Sequence, residues 1–294
     1  MASLRDIRRR IKSRQNMQKI TKALQVVSAT KLRRAQQAVE RTRPYAAKML
    51  EVLQTTTEHA SEYRHPFLDR REGDNRLYIV ITSDRGLAGG LNSNVMRAVN
   101  RHLRENTAGD ASFVTIGRKG RDLLLRMRRD VVAEVSGLPD RAPIGEVLPA
   151  VSAALDEYRQ GNVDQIYLVY SHFASTMRQE PTVRRLVTVE LPEREGREGD
   201  EHRLSGDYIY EPDPESVLDA LLPRYVETQV YQALLENQAS EHAARMVAMQ
   251  SATNAAGDLI KSLTLTANKV RQATITAELM DIVGGAEALR AATA

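Results

Sequence analysis

The chain has 294 residues, a net charge of +4 and no cysteine. The absence of cysteine excludes disulfides, thiol nucleophiles and cysteine metal sites. The longest purely apolar runs, such as Leu77 to Ile81, are too short to cross a membrane. The N-terminus lacks a signal-peptide core because its apolar residues are dispersed among arginines. We expect a reduced, intracellular protein with one domain and an extended element.

The N-terminal region reads as one long helix, because no glycine or proline precedes Pro44. A 3-4 alternation of apolar residues opens at Leu4, Ile7 and Ile11 and, after a slip of one residue, resumes at Met17, Ile20, Leu24 and Val27. Residues 1–43 carry thirteen Lys or Arg against two acidic residues. This segment is therefore +11, and the remainder of the chain is −7.

A basic helix has three candidate partners: nucleic acid, a membrane surface, or an acidic or polar protein sleeve around a basic shaft. The apolar seam is narrow and lacks Trp and Phe, which argues against the membrane surface. No zipper, zinc-finger or aromatic stacking pattern accompanies the charge, which argues against nucleic acid.

The middle of the chain predicts a small α/β domain with a Rossmann-like, mainly parallel sheet, because strand and helix patterns alternate. The last two strands are expected to close as a hairpin, and the polar segment 192–203 is expected to be a loop. The predicted strands are Leu77 to Thr82, Ser112 to Ile116, Asp130 to Val135, Ile166 to Tyr170 and Val183 to Leu191, and the predicted helices are Ser93 to Arg104, Gly117 to Arg128 and Ile144 to Tyr158.

The first predicted strand runs into a glycine-rich turn, SDRGLAGGLN, from Ser83 to Asn92. A strand, a glycine turn and a helix form a phosphate cradle in many nucleotide-binding domains. Here the glycines match neither GxGxxG nor the P-loop, so we interpret the turn as structural. The six histidines show no metal-binding spacing, and Ser171-His172 lacks the third member of a nucleophilic triad. We expect no catalytic, cofactor or metal site.

The C-terminal region carries the clearest signal, a seam of apolar or small residues every 3.5 positions, typical of a coiled coil. No proline follows Pro223, and some seventy residues at 1.5 Å each make a rod of roughly 100 Å. We expect the two terminal helices to pair as a long antiparallel coiled coil. The seam consists of Met246, Met249, Thr253, Ala256, Ile260, Leu263, Ala267, Val270, Thr274 and Ala277.

Several separated motifs together resemble one known family, the gamma subunit of F-type ATP synthases. They are the opening segment from Arg5 to Gln36, the turn SDRGLAGGLN, the segment YIYEPDP ending at Pro214, SEHAARMVAMQSATNAA from Ser240 to Ala256, and NKVRQATITAELMDIVGGAEA from Asn268 to Ala288. The resemblance spans essentially the whole chain. It implies a non-catalytic rotor shaft inside a ring of three alpha and three beta subunits, with the α/β domain as a foot on the c-ring beside epsilon.

The resemblance also implies positions for the contacts. Torque-transmitting contacts with the ring fall on Lys19, Lys22, Leu24, Lys31, Arg33 and Arg34 of the first helix and on Arg271, Gln272, Thr276 and Glu278 of the last. Contacts with the c-ring and epsilon fall on Tyr208, Tyr210 and Glu211.

This interpretation divides the chain into a shaft helix at 1–65, a foot domain at 75–205 and a second shaft helix at 212–294. It places the protein at the cytoplasmic face of a bacterial plasma membrane, peripheral through the c-ring, coupling proton-driven rotation to ATP synthesis without a cofactor and without nucleic acid. The alternative is a basic coiled-coil nucleic-acid-binding protein, whose duplex affinity would fall steeply with salt.

Overall fold

In a computed structural model, the structure describes residues 3–60, 63–190 and 210–292, with side chains up to residue 286. Two long helices bracket the described chain: α1 spans Leu4–His59 and α5 spans Pro214–Ala292. Pro44 lies within α1 and Pro223 within α5, so neither proline ends its helix. Pro214 is the first residue of α5, where its missing N–H group needs no partner. The two predicted terminal helices are thereby confirmed.

Between these helices lies a sheet of five strands: β1 Arg76–Ile81, β2 Ala111–Ile116, β3 Asp130–Val135, β4 Gln165–Phe173 and β5 Gln179–Val187. Their order across the sheet is β3-β2-β1-β4-β5. The first four strands pair in parallel, and β4 and β5 form an antiparallel hairpin. The mainly parallel, Rossmann-like sheet with a closing hairpin is confirmed.

Side chains of the central strand alternate between two cores, because successive residues of a strand point to opposite faces. Tyr78 and Val80 pack with α2 (Leu91–Glu105) and α3 (Arg118–Arg126). Leu77, Ile79 and Ile81 pack with α4 (Leu148–Arg159) and with the adjoining parts of α1 and α5, including Leu53 and Val226. Central strands are therefore buried on both faces, and near-continuous apolar runs such as LYIVI follow from this arrangement.

Most predicted elements differ from the structure by one to three residues at an end, and two have a bound that differs by about four. The last strand begins at Gln179 and ends at Val187, about four residues earlier than Val183 to Leu191, because the hairpin turn forces pairing to begin at once. Its first half carries Glu180 and Pro181, which conceal a strand in the sequence. The helix expected from Ile144 begins instead with a 3₁₀ turn over Ile144–Glu146, and α4 starts at Leu148 with a proline second.

The chain divides into two compact units. One contains residues 1–27 and 246–294, which hold the beginning of α1 and the end of α5. The other contains residues 28–245, which hold the sheet and the remaining helices. We call the first the helix-pair unit and the second the sheet unit.

Candidate functional site

The helix-pair unit is an antiparallel pair joined by polar side chains at its seam. The Thr21 and Thr253 hydroxyls share a hydrogen bond of 2.8 Å. The Gln25 side-chain amide donates to the Gln250 side-chain carbonyl. As residue numbers rise on α1 the facing numbers on α5 fall, so the two helices run in opposite directions. Ile7, Met249, Ala256 and Ala267 are buried in the same unit. The predicted antiparallel coiled coil is confirmed here.

The predicted phase of the first helix is wrong. Met17, Ile20 and Val27 are 48%, 56% and 51% exposed, so they do not form the seam. The 3-4 alternation that starts at Leu4 continues without a slip through positions 18, 21 and 25, which hold Gln18, Thr21 and Gln25. The apolar residues mislead the prediction here, because the structure keeps the heptad phase and fills it with polar side chains, two of which, Thr21 and Gln25, hydrogen-bond across the pair.

The end of α5 extends beyond the part of the helix that pairs with α1. Val270 is the last half-buried position of the seam, and residues 271–286 are all exposed, including Thr274 and Ala277. Because α1 begins at Leu4 and runs antiparallel to α5, none of the described residues of this unit covers them. Several large apolar side chains in this stretch are 49–69% exposed: Ile275, Leu279, Met280, Ile282 and Val283. An exposed apolar helix of this length is typical of a protein-binding element.

The expected ring-contact residues of α1 fall into two settings. Lys19 and Lys22 are exposed, and Leu24 is half-buried, in the helix-pair unit. The Lys22 ammonium donates to the Gln25 side-chain oxygen at 3.3 Å. In the sheet unit, Arg33 and Arg34 are exposed, whereas the Lys31 ammonium lies 2.7 Å from the Asp140 carboxylate. Lys31 therefore already has a partner within its own chain.

The expected ring-contact residues of α5 lie together on the unpaired end. Arg271, Gln272, Thr276 and Glu278 are all exposed. The Thr276 hydroxyl donates to the Gln272 backbone carbonyl at 3.0 Å, an ordinary bond within a helix. Their polar groups are thus displayed beside the exposed apolar side chains of the same segment.

The expected foot residues precede α5. Tyr210 is half-buried, and its ring lies 5.5 Å from the His59 ring at the end of α1. Glu211 is exposed. Tyr208 lies outside the described residues. The start of α5 is held nearby, where the Tyr63 hydroxyl donates to the Asp219 carboxylate at 2.7 Å.

The glycine-rich turn is held by its own side chains. The Asp84 carboxylate accepts the backbone N–H of Arg118, at the start of α3, at 2.9 Å and that of Gly137 at 2.8 Å. A phosphate would need such N–H groups at the carboxyl edge of a parallel sheet. Here a carboxylate of the chain fills that position. The geometry supports the interpretation of the turn as structural.

A cavity of about 540 Å³ lies beside this turn in the sheet unit. Its wall includes three titratable residues of α5 that the sequence analysis did not identify. They are Glu241, His242 and Arg245. The Arg245 guanidinium lies 2.6 Å from the Glu241 carboxylate and donates to the Gly86 carbonyl at 3.2 Å. Charged side chains at inward positions of an otherwise apolar helix face are the sequence signal that could have revealed this group.

Burial shifts the titration of these groups. Burial raises the pKa of the Glu241 carboxyl, although the Arg245 charge opposes the change. Burial lowers the pKa of the His242 imidazole to about 4, although Asp140 opposes it. At neutral pH His242 is therefore uncharged. Among the described residues, no group of three or more His, Cys, Asp or Glu side chains could hold a metal ion.

No helix in the described part of the chain is both long and apolar enough to cross a membrane.

Comparison with known proteins covers nearly the whole chain. The family described as ATP synthase matches residues 3–289. The ATP synthase gamma chain of Psychrobacter cryohalolentis is 46% identical over 294 residues, covering 98% of this chain and all of the relative. That of Pelotomaculum thermopropionicum is 45% identical over 289 residues, with the same coverage.

Solved structures agree with the fold. A chain from the central stalk and c-ring structure of the Tetrahymena thermophila mitochondrial ATP synthase is 26% identical, with a TM-score of 0.58, covering 79% of this chain and 99% of that chain. A chain from the Euglena gracilis mitochondrial ATP synthase has a TM-score of 0.67 at 19% identity, covering 99% of this chain and 95% of that chain, and supports the fold alone. The chain belongs to the ATP synthase gamma-chain family.

Proposed function

We propose that this chain is the central-stalk rotor subunit of a proton-translocating ATP synthase. The observation that carries the proposal is full-length similarity, at 46% identity, to a gamma chain. In this role, rotation of the c-ring turns the helix pair, and its changing orientation favours a different conformation in each catalytic subunit. That is a population shift produced by differential contact.

The contact surface with the alpha and beta subunits is proposed to lie on the helix pair and on the unpaired end of α5. The exposure of Ile275, Leu279 and Met280 supports this assignment, because apolar side chains without a partner in their own unit favour an external one. The residues proposed to transmit torque are the apolar Leu24 and a set of charged and polar residues: Lys19, Lys22, Lys31, Arg33, Arg34, Arg271, Gln272, Thr276 and Glu278. The ion pair with Asp140 makes Lys31 the least accessible cation of this set.

The foot is proposed to meet the c-ring and an epsilon subunit through Tyr208, Tyr210 and Glu211. The exposure of Glu211 beside the half-buried Tyr210 supports a contact made by this segment. We place the complex at the cytoplasmic face of a bacterial plasma membrane, because the similar gamma chains named above are bacterial.

Catalysis is proposed to reside in the partner subunits. The chain has neither a P-loop lysine nor the glycine spacing of a dinucleotide site, and the Asp84 carboxylate already accepts the N–H group at the start of α3. We therefore propose that the subunit works without a cofactor. Nucleic acid is not among the proposed partners, because the basic charge of α1 suits an acidic protein sleeve.

Co-expression with cognate alpha and beta subunits tests the proposal. We expect a complex of three alpha, three beta and one copy of this chain with sustained ATPase activity, whereas the purified chain releases no phosphate at micromolar concentration. Failure of the chain to co-purify with the hexamer would refute the proposed role. Sustained turnover by the chain alone would refute the assignment of catalysis to its partners.

A further inference from the structure

A group of arginines gathers at one corner of the sheet unit. Arg101 and Arg104 lie in the last turns of α2, Arg126 ends α3, and Arg128 and Arg129 connect α3 to β3. All five side chains are exposed. We call these five residues the basic corner.

The basic corner has few partners of its own. Among the described residues, none of its five guanidinium groups lies within 4 Å of a carboxylate, although Glu105 and Asp130 are adjacent in sequence. The Arg126 guanidinium donates to the Asp122 backbone carbonyl at 3.0 Å. Basic residues commonly stabilise the C-terminal end of a helix, but two helix ends need fewer than five arginines.

Fold topology fixes the position of this corner. Helices that connect parallel strands run opposite to them, so α2 and α3 end at the edge where the strands begin. Asp130, the first residue of β3, pairs with Ser112 near the start of β2. The basic corner therefore lies at the amino edge of the sheet.

Tyr210 and Glu211, which we call the foot segment, lie at the same edge. Asp219, in the first turns of α5, accepts the Tyr63 hydroxyl, and Tyr210 packs on His59. Phe67 follows Tyr63 in the chain, and its ring lies 5.7 Å from the ring of Tyr158 at the end of α4. Helix α4 also precedes a parallel strand, so its end marks the amino edge as well. The basic corner and the foot segment thus share one edge of the sheet unit.

Two apolar side chains stand among the arginines. Leu125 is 53% exposed and Met127 is 39% exposed. A surface that mixes basic groups with isolated exposed apolar side chains is suited to anionic lipid headgroups, where the apolar groups reach the acyl boundary. The corner contains no aromatic side chain on which nucleic-acid bases could stack.

We propose that the basic corner associates with the anionic headgroups of the membrane that surrounds the c-ring. This inference rests on the proposed function, which brings the foot segment to that membrane. A fluid headgroup layer offers no fixed register, so the attraction draws the foot toward the membrane without blocking rotation. Electrostatic attraction of this kind falls off within about a Debye length, some 8–10 Å at physiological salt.

Vesicle co-sedimentation of the assembled complex with alpha and beta subunits tests the inference. The probes are vesicles of phosphatidylcholine alone and vesicles with 30 mol% phosphatidylglycerol, on the order of the charge of an anionic leaflet. The test variant is Arg101→Ala, Arg104→Ala, Arg128→Ala. The matched control, Arg85→Ala, Arg118→Ala, Arg141→Ala, removes the same charge from exposed positions outside the corner.

We expect binding only to the phosphatidylglycerol vesicles, weakened by added salt. Each corner arginine is worth about a fivefold change in partitioning, so the test variant should bind at least tenfold more weakly. The control variant should bind within about threefold of wild type, since its charges lie farther from the surface.

An equal loss of vesicle binding in both variants would overturn the proposal, because it would show that binding depends on total charge and not on the basic corner. So would absence of binding by the wild-type complex, or equal binding to both vesicle types. Failure of the complex to assemble would instead count against the proposed function.

Discussion

The hydroxyl oxygens of Thr21 and Thr253 lie 2.8 Å apart at the seam of the helix pair. Thr253 also donates within its own helix, to the Met249 carbonyl at 2.8 Å. Two hydroxyls that face each other in this way satisfy one another in a partly buried seam. They set the register of the pair, because a shift of either helix would leave a polar group against apolar neighbours.

Two leucines of α5 provide a matched test of this seam. Leu263 is half-buried at a seam position, whereas Leu265 is 64% exposed. Leu263→Asp should lower the free energy of unfolding by about 2–4 kcal/mol, because it places an unpaired charge among apolar side chains. Leu265→Asp should change it by less than about 0.5 kcal/mol. Thermal unfolding of the isolated subunit, followed by helical circular dichroism, checks both. Equal melting temperatures for the two variants would show that the seam is misplaced.

The same measurement applied to the first helix tests the corrected phase. Ile20 is 56% exposed, so Ile20→Asp should leave the melting temperature nearly unchanged. A large loss of stability in this variant would instead place Ile20 at the seam and contradict the phase seen in the structure.

Much of the fold could be predicted from the sequence, because apolar periodicity marks both the long helices and the buried strands. The phase of the first helix could not, since its seam positions hold the polar residues Gln18, Thr21 and Gln25, and the bonds of Thr21 and Gln25 to α5 depend on the partner helix. The half-buried pair Glu241 and Arg245 could not be predicted for a related reason. Its partner atom, the Gly86 carbonyl, is 155 or more residues away in sequence.

The turn after β2 tolerates no side chain at its glycine. Gly117 has φ +106°, and a Cβ atom there would lie 2.1 Å from the Thr82 carbonyl oxygen. Gly117→Ala should destabilise the sheet unit by at least about 3 kcal/mol, through strain and a clash with rigid backbone. Gly86→Ala is the matched control, because nothing lies within 4 Å of its added Cβ. Denaturant titration should separate the two variants, and equal midpoints would contradict this account of the turn.

Acid should weaken the sheet unit through His242. The unfolded chain binds a proton on this histidine near pH 6.5, whereas in the folded state its pKa is about 4. Between these values the unfolded state holds more protons, so stability falls as the pH is lowered. Glu241 acts in the opposite direction, since a raised carboxyl pKa makes its contribution fall as the pH rises.

A variant separates the two effects. When the pH is lowered from 7 to 4, the free energy of unfolding of wild type should fall by about 2–3 kcal/mol more than that of His242→Gln. The variant keeps the contribution of Glu241. Urea unfolding at several pH values gives this difference. Parallel stability curves for the two proteins would mean that His242 titrates normally.

Changes at the unpaired end of α5 should reduce the activity of the complex and leave the stability of the isolated subunit nearly unchanged. Arg271→Ala, Gln272→Ala alters exposed residues, so the melting curve of the isolated subunit should stay within about 0.5 kcal/mol of wild type. In the reconstituted complex the double change should reduce the ATPase rate or its coupling to proton pumping, because charge-assisted contacts are lost. Asp258→Ala, Lys261→Ala, on the paired part of the same helix, is the control. Full coupled activity in the Arg271 and Gln272 variant would remove both residues from the proposed surface.

We propose that this chain turns inside a catalytic ring. A complex of cognate alpha and beta subunits with this chain can be fixed to a glass surface through the beta subunits, with a gold particle attached at Met177, an exposed hairpin residue replaced by cysteine. With saturating ATP, we expect continuous rotation of the particle in one direction, in three equal steps per turn. An assembled complex that hydrolyses ATP steadily while the particle stays still would contradict it.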